Sequence, residues 1–233
     1  MRAAVALLTV FGRSRAPTAG AWAWFPVVGA AIGALLGGVW WAADEVFPPL
    51  VAATLVVVAD LAVTGMLHVD GLADTADGLL CHADRSERLR IMRTADVGAF
   101  GVAVVAVMLL AEVAALGGQA VSVALLVALW CTARTTVVGG ATFLRYVRPE
   151  GMATLMLTRP APAWPLAALV PAGALAAGVD GWRGLAAVAG AVLAGAGVLA
   201  LAHRRIGGFT GDVLGAAVVV GQVAGLVVGA ARW

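Results

Sequence analysis

The sequence predicts an all-α, polytopic integral membrane protein, and three observations support this fold class. Hydrophobic residues make up 62% of the 233-residue chain and charged residues only 12%, and the mean hydropathy is +0.99. Apolar stretches of about the 17–25 residues that cross a bilayer recur along the chain, and arginines concentrate in alternate loops. This composition excludes a soluble domain, and a net charge of +2 gives no reason to expect nucleic-acid binding.

About seven transmembrane helices are predicted in one membrane domain that covers residues 1–233. The predicted spans are residues 25–43, 50–68, 98–117, 119–143, 163–179, 184–202 and 212–231. A short interfacial helix is expected before the first span, because Arg13 and Arg15 directly follow an apolar run and oppose its translocation. The alternative for this run is a secretory signal peptide.

Glycines at every fourth position predict close packing for the first and last spans. The two ladders are Gly29, Gly33 and Gly37, and Gly221, Gly225 and Gly229. Cys81 and Cys131 lie in different segments without metal-ligand spacing, so both are expected to be free thiols.

Arginine placement predicts the orientation in the cell membrane. With a cytoplasmic N-terminus, one side carries twelve of the fifteen arginines: Arg2, Arg13, Arg15, Arg85, Arg88, Arg90, Arg93, Arg145, Arg148, Arg159, Arg204 and Arg205. The opposite side carries Arg183 and Arg232. The positive-inside rule makes the arginine-rich side cytoplasmic. The segment 68–97, which holds the chain's acidic motif, is therefore predicted to face the cytoplasm.

The acidic motif contains three carboxylates with helical spacing. Asp70, Asp74 and Asp77 stand at positions i, i+4 and i+7, which share one face of a helix. Carboxylates so arranged repel one another unless a cation lies among them. Oxygen ligands suit Mg²⁺, and Mn²⁺ is possible. The pattern favours a metal site, and the alternative is a solvated acidic helix end.

Further polar residues are predicted on the same side. Gly208, Thr210, Gly211 and Asp212 open the last span, where backbone N–H groups favour a phosphate oxygen; a tight turn explains the same pattern. Residues Arg148 and Glu150 follow the fourth span and are candidates for phosphate binding, for proton transfer or for an interfacial ion pair.

Charged residues inside the spans are costly and need partners. Arg134 is expected to face the bundle interior or a wet cavity and to pair with an anion, either substrate phosphate or a carboxylate. Asp60 and Glu112 are a structural pair or a polar lining. His68 borders the acidic motif and is either a packed residue or a substrate contact.

The acidic motif resembles the signature of the cobalamin synthase family, also called adenosylcobinamide-GDP ribazoletransferases. The matching string is Thr64-Gly65-x-x-His68-x-Asp70-Gly71-Leu72-Ala73-Asp74-x-x-Asp77-Gly78. Arg134, Arg148-x-Glu150-Gly151 and Gly207-Gly208-x-Thr210-Gly211-Asp212 follow in the family's order. The chain departs from the family pattern at Thr94, where an acid is usual, and at Val219 and Gln222, where glutamates are common.

The resemblance implies the last assembly step of vitamin B12. Adenosylcobinamide-GDP reacts with α-ribazole or its phosphate, which gives adenosylcobalamin or its phosphate and releases GMP. By the resemblance the reaction depends on Mg²⁺ held by Asp70, Asp74 and Asp77, with Asp212 as a further acid. Asp70, Asp74, Asp77, Arg134, Arg148 and Glu150 are the expected catalytic residues, and His68, Gly71, Gly208, Thr210, Gly211 and Asp212 the expected substrate contacts.

Two other classes are compatible with acids among membrane helices. A membrane lipid enzyme like the CDP-alcohol phosphotransferases uses spaced aspartates for a comparable displacement, although this chain lacks their Asp-Gly-x-x-Ala-Arg string. A cation-coupled transporter is the other alternative. Transporter sites usually lie at the bilayer midplane between repeats, whereas these acids are predicted at one face of a chain without a repeat.

Overall fold

A computed structural model describes residues 1–12, 19–148, 156 and 159–232, and these residues are almost entirely helical. The ten α-helices described are α1 (Arg2–Leu8), α2 (Phe25–Asp44), α3 (Pro49–Thr64), α4 (Leu67–Leu80), α5 (Arg85–Ile91), α6 (Ala99–Gly117), α7 (Val123–Phe143), α8 (Leu169–Asp180), α9 (Trp182–Ile206) and α10 (Gly211–Gly229). Short 3₁₀ helices at Ala19–Trp24 and Trp164–Ala168 lead into α2 and α8. The all-α membrane fold predicted from composition is confirmed.

Five segments in the described part of the chain are long and apolar enough to cross a membrane. They are Gly20–Asp44, Ala99–Gly117, Val123–Phe143, Trp182–Ile206 and Gly211–Gly229. A sixth span is formed if α3 and α4 are taken as one bent segment. The predicted span at 163–179 is a shorter apolar helical segment, Trp164–Asp180.

The predicted second span, 50–68, is wrong at its C-terminal end. Helix α3 stops at Thr64, and Gly65 and Met66 both have φ near +60°. The left-handed backbone at two successive residues turns the chain by 90° into α4. His68 and the acidic motif therefore lie on a separate helix and not at the end of a straight span.

The two glycine ladders pack against neighbouring helices, as predicted. A Cβ at Gly29 or Gly33 would meet the carbonyl oxygen of Trp130 or Leu126 on α7. On α10, a Cβ at Gly221 would lie 3.0 Å from the Ala191 carbonyl oxygen of α9. Because these glycines let backbones touch, α2 packs closely on α7, and α10 on α9.

A buried polar cluster lies between the helices. The Arg134 side chain of α7 is fully buried and interacts electrostatically with Asp60 of α3 and Glu112 of α6. With its amide oriented to accept, the Gln222 oxygen lies 2.6 Å from Arg134 Nη1 and 2.6 Å from Trp130 Nε1. Arg134 thus faces the interior, as predicted, with the Gln222 amide oxygen as its hydrogen-bonding partner and the Asp60 and Glu112 carboxylates as the nearby anions.

The N-terminal helix α1 contacts α2 and buries Ala4 and Leu8. Cys81 and Cys131 are free thiols, as expected. Arg13 and Arg15 lie outside the described residues, and so does Glu150.

Candidate active site

Helix α4 presents its three aspartates at different depths. The helix covers the whole acidic motif, so the predicted i, i+4, i+7 spacing is realised. Asp70 is exposed, Asp74 is half-buried and Asp77 is buried. The three side chains therefore meet different surroundings, and only the first two are open to a ligand from solution.

The carboxylate of Asp77 binds the N-terminus of α6. Its Oδ2 accepts a hydrogen bond of 2.7 Å from the Gly98 N–H, and its Oδ1 accepts one of 2.9 Å from the Gly101 N–H. A Cβ at Gly101 would collide with this carboxylate. The negative charge also faces the positive end of the helix dipole. Asp77 thus fixes α4 to α6, a structural role that the spacing alone did not predict.

Two glycines let α4 cross α10 in contact. A Cβ at Gly71 would lie 2.8 Å from the Asp212 carbonyl oxygen, and one at Gly215 would lie 3.3 Å from His68 Cα. This approach brings Asp212, at the start of α10, beside Asp70 and Asp74. Gly71 was predicted as a substrate contact, and the structure gives it a packing role against Asp212.

Arg148 joins the carboxylates from the connection after α7. Its Nη2 lies 2.7 Å from Asp212 Oδ2 and donates a hydrogen bond of 2.6 Å to the Met92 carbonyl oxygen. The segment is held by the Val147 N–H, which donates to the Phe209 carbonyl oxygen at 3.0 Å. Arg148 is therefore placed by backbone pairing beside the start of α10. Its predicted partner Glu150 lies outside the described residues.

The predicted glycine-rich motif forms a turn that ends one helix and begins the next. Gly207 closes α9 with φ +79°, and a Cβ at Gly208 would collide with the Arg145 carbonyl oxygen. The Thr210 hydroxyl caps α10 by accepting from the Val213 N–H at 3.3 Å, and it donates to Asp212 Oδ2 at 3.2 Å. The tight-turn interpretation is realised, and phosphate binding at Gly211 stays a prediction.

Negative charge accumulates at Asp74. The carboxylates of Asp212, Asp70 and Asp77 all repel it, and the Arg148 guanidinium is the attracting group among its charged neighbours. Like charges so close are stabilised by a cation. Within the described residues no group of three His, Cys, Asp or Glu side chains is placed to hold a metal ion alone. The donor set instead fits an ion that takes one or two carboxylates and completes its shell with substrate phosphates, the usual arrangement for Mg²⁺.

A cavity of about 270 Å³ opens beside these charges. Its polar edge comprises His68, Asp70, Arg148 and Asp212, together with the backbone of Gly211 and Gly215. Its remaining wall is largely apolar and comes from α1, α2, α4, α7, α10 and the 3₁₀ helix at Ala19–Trp24, together with Tyr146 and Met156. The site thus joins an apolar chamber to a charged rim, which suits a ligand with an apolar part and an anionic or hydroxyl-bearing part.

Of the predicted site residues, the structure brings together Asp70, Asp74, Arg148, Thr210, Gly211 and Asp212, with His68 on the cavity wall. Arg134 does not line the cavity and lies with Asp60 and Glu112. Sequence reasoning used Arg88 only for orientation, yet this buried side chain donates to the carbonyl oxygens of Gly78 and Leu79 and so closes the end of α4. Trp22 and Phe25 on the cavity wall were not predicted either, since nothing in the local pattern separates them from other aromatic residues.

Comparison with known proteins identifies the family. A family model described as cobalamin-5-phosphate synthase matches residues 1–230. The chain belongs to this family. Among relatives named adenosylcobinamide-GDP ribazoletransferase, the protein of Alkalilimnicola ehrlichii is 40% identical over 216 residues, which are 87% of this chain and 81% of the relative.

Two further relatives with the same name come from distant organisms. The protein of Chlorobaculum tepidum is 37% identical over 200 residues, covering 83% of this chain and 78% of the relative. The protein of Halorubrum lacusprofundi is 33% identical over 232 residues, covering 90% and 86%. No solved structure matches the chain significantly.

Proposed function

We propose that this member of the cobalamin-5-phosphate synthase family transfers the adenosylcobinamide phosphoryl group from adenosylcobinamide-GDP to α-ribazole or its phosphate. The products are adenosylcobalamin or its phosphate, and GMP. The observation that carries the proposal is that Asp70, Asp212 and Arg148 line one cavity, with Asp74 close enough to be repelled by Asp70 and Asp212. A charged rim of this kind suits a phosphoryl donor, and the relatives' name supplies the substrates.

The reaction is an in-line displacement at phosphorus. The ribazole hydroxyl oxygen forms a bond to the phosphorus attached to cobinamide, and the anhydride bond to GMP breaks, so that GMP leaves with the electron pair. A carboxylate of the rim takes the hydroxyl proton. Asp70 and Asp74 are better placed for this than Asp212, because Asp212 is already bound to Arg148 and Thr210.

Mg²⁺ would be held at the pair Asp70 and Asp74, by the carboxylate that does not take the proton, and when bound it would neutralise the pyrophosphate and the leaving GMP. Arg148 is the guanidinium best placed to bind a phosphate oxygen, since it lies on the cavity rim. Asp77 holds α4 against α6 and so fixes the position of the helix that carries Asp70 and Asp74. Arg134 stabilises the bundle, and Glu150 stays a candidate base.

The protein acts in the cell membrane with its site facing the cytoplasm. The proposal rests on the arginine-rich loops, which lie at the same end of the helices as α4 and the start of α10. Soluble nucleotide substrates would then reach the charged rim directly, and the apolar helices would contact the lipid bilayer.

The test is nucleotide release by purified, full-length protein in liposomes. With adenosylcobinamide-GDP, α-ribazole and Mg²⁺, we expect GMP and a cobalamin product in equal amounts. Release of CMP from a CDP-alcohol, with no GMP from the corrinoid substrate, would overturn the proposal in favour of a lipid enzyme.

A further inference from the structure

The cavity is lined by two chemically distinct sets of residues, and the apolar set has no role in the proposed chemistry so far. Trp22 and Phe25 form its aromatic wall, with ring centroids 4.7 Å apart and planes inclined by 47°. Leu8 of α1, Val137 of α7 and Leu214 of α10 add aliphatic surface. All five side chains are buried, so this chamber is a formed feature of the interior.

The chamber's size limits its occupant. Ligand cavities that enclose drug-sized molecules hold about 300–1,000 Å³, and this cavity of about 270 Å³ lies just below that range. A single nucleoside is of this size. A corrin macrocycle with its side chains is several times larger and has to remain outside.

The chamber's chemistry favours one of the two bases in the proposed reaction, the dimethylbenzimidazole of α-ribazole, over the other, the guanine of the donor. Guanine carries several hydrogen-bond donors and acceptors, and burying these groups without partners is unfavourable. The wall offers them mainly leucine, valine, methionine and aromatic carbon, and Tyr146 is the polar side chain that it adds to those of the polar edge. The one indole N–H on the wall, Trp22 Nε1, already donates to the Met156 carbonyl oxygen at 3.4 Å. The dimethylbenzimidazole base of α-ribazole has two methyl groups and a fused aromatic ring, which suit contact with Trp22 and Phe25.

The relation between the two sets of residues supports the same assignment. The polar rim, with Asp70 and Asp212, directly adjoins the apolar chamber. A base seated against Trp22 and Phe25 would direct its attached ribose towards the rim, where the reacting hydroxyl is needed. The donor's pyrophosphate would then approach the same carboxylates from the open side.

From this geometry we infer that the apolar chamber bounded by Trp22, Phe25, Leu8, Val137 and Leu214 is the binding site for the benzimidazole base of the acceptor nucleoside. The inference rests on the proposed function, because it assigns a place to one of that reaction's two substrates. The corrinoid and guanine groups of the donor are assigned to the outside of the chamber.

The experiment reduces the volume of the chamber by substitutions on two different helices. Leu214→Phe and Leu8→Phe add volume from α10 and α1. The control Val227→Phe adds a similar volume on α10 at a residue that is 48% exposed. Each purified variant is assayed in liposomes for the KM of α-ribazole and the KM of adenosylcobinamide-GDP. We expect a rise of at least about tenfold in the ribazole KM for both filled variants, with the donor KM within about twofold of wild type.

A binding measurement separates this inference from the proposed function. Free dimethylbenzimidazole and α-ribazole are each titrated without the donor, while tryptophan fluorescence is followed. We expect saturable quenching in wild type and in Val227→Phe, weakened in the filled variants and in Trp22→Phe.

One outcome would overturn the inference and leave the proposed function intact. In it, wild type forms cobalamin, and Leu214→Phe and Leu8→Phe have a raised KM for adenosylcobinamide-GDP but an unchanged KM for α-ribazole. Wild type that forms no cobalamin refutes the proposed function, and unsaturable quenching by the base then refutes the inference as well. If Leu214→Phe and Leu8→Phe do not fold, Trp22→Phe decides the inference by the same fluorescence and KM criteria.

Discussion

At the scale of single residues, the acidic motif divides into open and engaged carboxylates. Asp70 and Asp74 face solvent or the cavity rim, whereas both oxygens of Asp77 accept backbone N–H groups of α6. The spacing of the three aspartates is the same in either case. Spacing therefore predicts that they share a helix, and the contacts of each side chain decide what each one does.

Asp77→Asn is predicted to damage stability. An asparagine has one acceptor oxygen, so its amide N–H₂ would face the N–H of Gly98 or Gly101 and leave a buried donor unpaired. We expect a loss of about 1–3 kcal/mol in the free energy of unfolding, with reduced turnover that added Mg²⁺ does not restore. Thermal unfolding in detergent, run beside the activity assay, checks this.

The matched control is Glu87→Gln on α5, since Glu87 pairs with Arg90 on the exposed surface and such pairs contribute little. This variant should behave as wild type in both assays. An Asp77→Asn protein that unfolds like wild type and recovers turnover at high Mg²⁺ would show that Asp77 is a metal ligand after all.

At the scale of helices, glycine contacts bring the site together. Helix α4 touches α10 through Gly71 and Gly215, and a displacement of about one ångström at a reacting centre is enough to lose much of the rate. Gly71→Ala would place a methyl group 2.8 Å from the Asp212 carbonyl oxygen. The helices have to separate to accept it.

We therefore predict that Gly71→Ala lowers turnover by at least about tenfold with little change in the amount of inserted protein. Gly197→Ala on α9 is the control, because a Cβ there meets no atom of the described chain within 4 Å and alanine favours a helix over glycine. Turnover of both variants is measured per inserted molecule. Equal activity in Gly71→Ala and Gly197→Ala would mean that the α4–α10 contact does not set the site.

The cluster around Arg134 connects α3, α6, α7 and α10 inside the bundle. Arg134→Leu leaves Asp60 and Glu112 without their nearby cation, and an uncompensated buried charge costs about 3–5 kcal/mol. We expect low yield and early thermal unfolding. Adding Glu112→Gln to this variant should recover part of the stability, since one buried charge is then removed.

The unfolding midpoints of wild type, both single variants and the double variant form the measurement. If the Arg134→Leu protein inserts and unfolds like wild type but has lost turnover, Arg134 acts in the reaction and not in stability. The sequence required a partner for this arginine. It did not specify whether the partner was substrate or another span.

At the scale of the whole molecule, much of the fold was predictable because lipid imposes strict rules on length and composition. Most helix bounds follow from those rules, and the close packing of the glycine ladders follows from their four-residue spacing. The break after Thr64 did not, since Gly65 and Met66 adopt left-handed backbone that hydropathy does not report. The site was predictable as a set of residue types on one side of the membrane. Its cavity was not, because Trp22, Phe25 and Leu214 come together only through tertiary packing.

Orientation is the second property of the whole molecule. In a background without Cys81 and Cys131, a single cysteine at the exposed position Ser86 should be labelled by an impermeant thiol reagent only after the cells are opened. A cysteine at exposed Trp182, at the opposite end of α9, serves as the reciprocal probe. Labelling of Ser86→Cys in intact cells would place the carboxylate rim on the outside and contradict the proposed orientation.

The most direct test of the central claim is the Mg²⁺ dependence of turnover in Asp70→Asn and Asp74→Asn, measured as GMP release by inserted protein. Each change keeps side-chain volume and removes one charge from the open part of the rim. We predict a loss of turnover of at least about 10²-fold and a midpoint shifted to higher Mg²⁺ concentration, with Glu87→Gln unchanged. If both variants fold and turn over like wild type at every Mg²⁺ concentration, the carboxylates of α4 do not form the phosphoryl-transfer site.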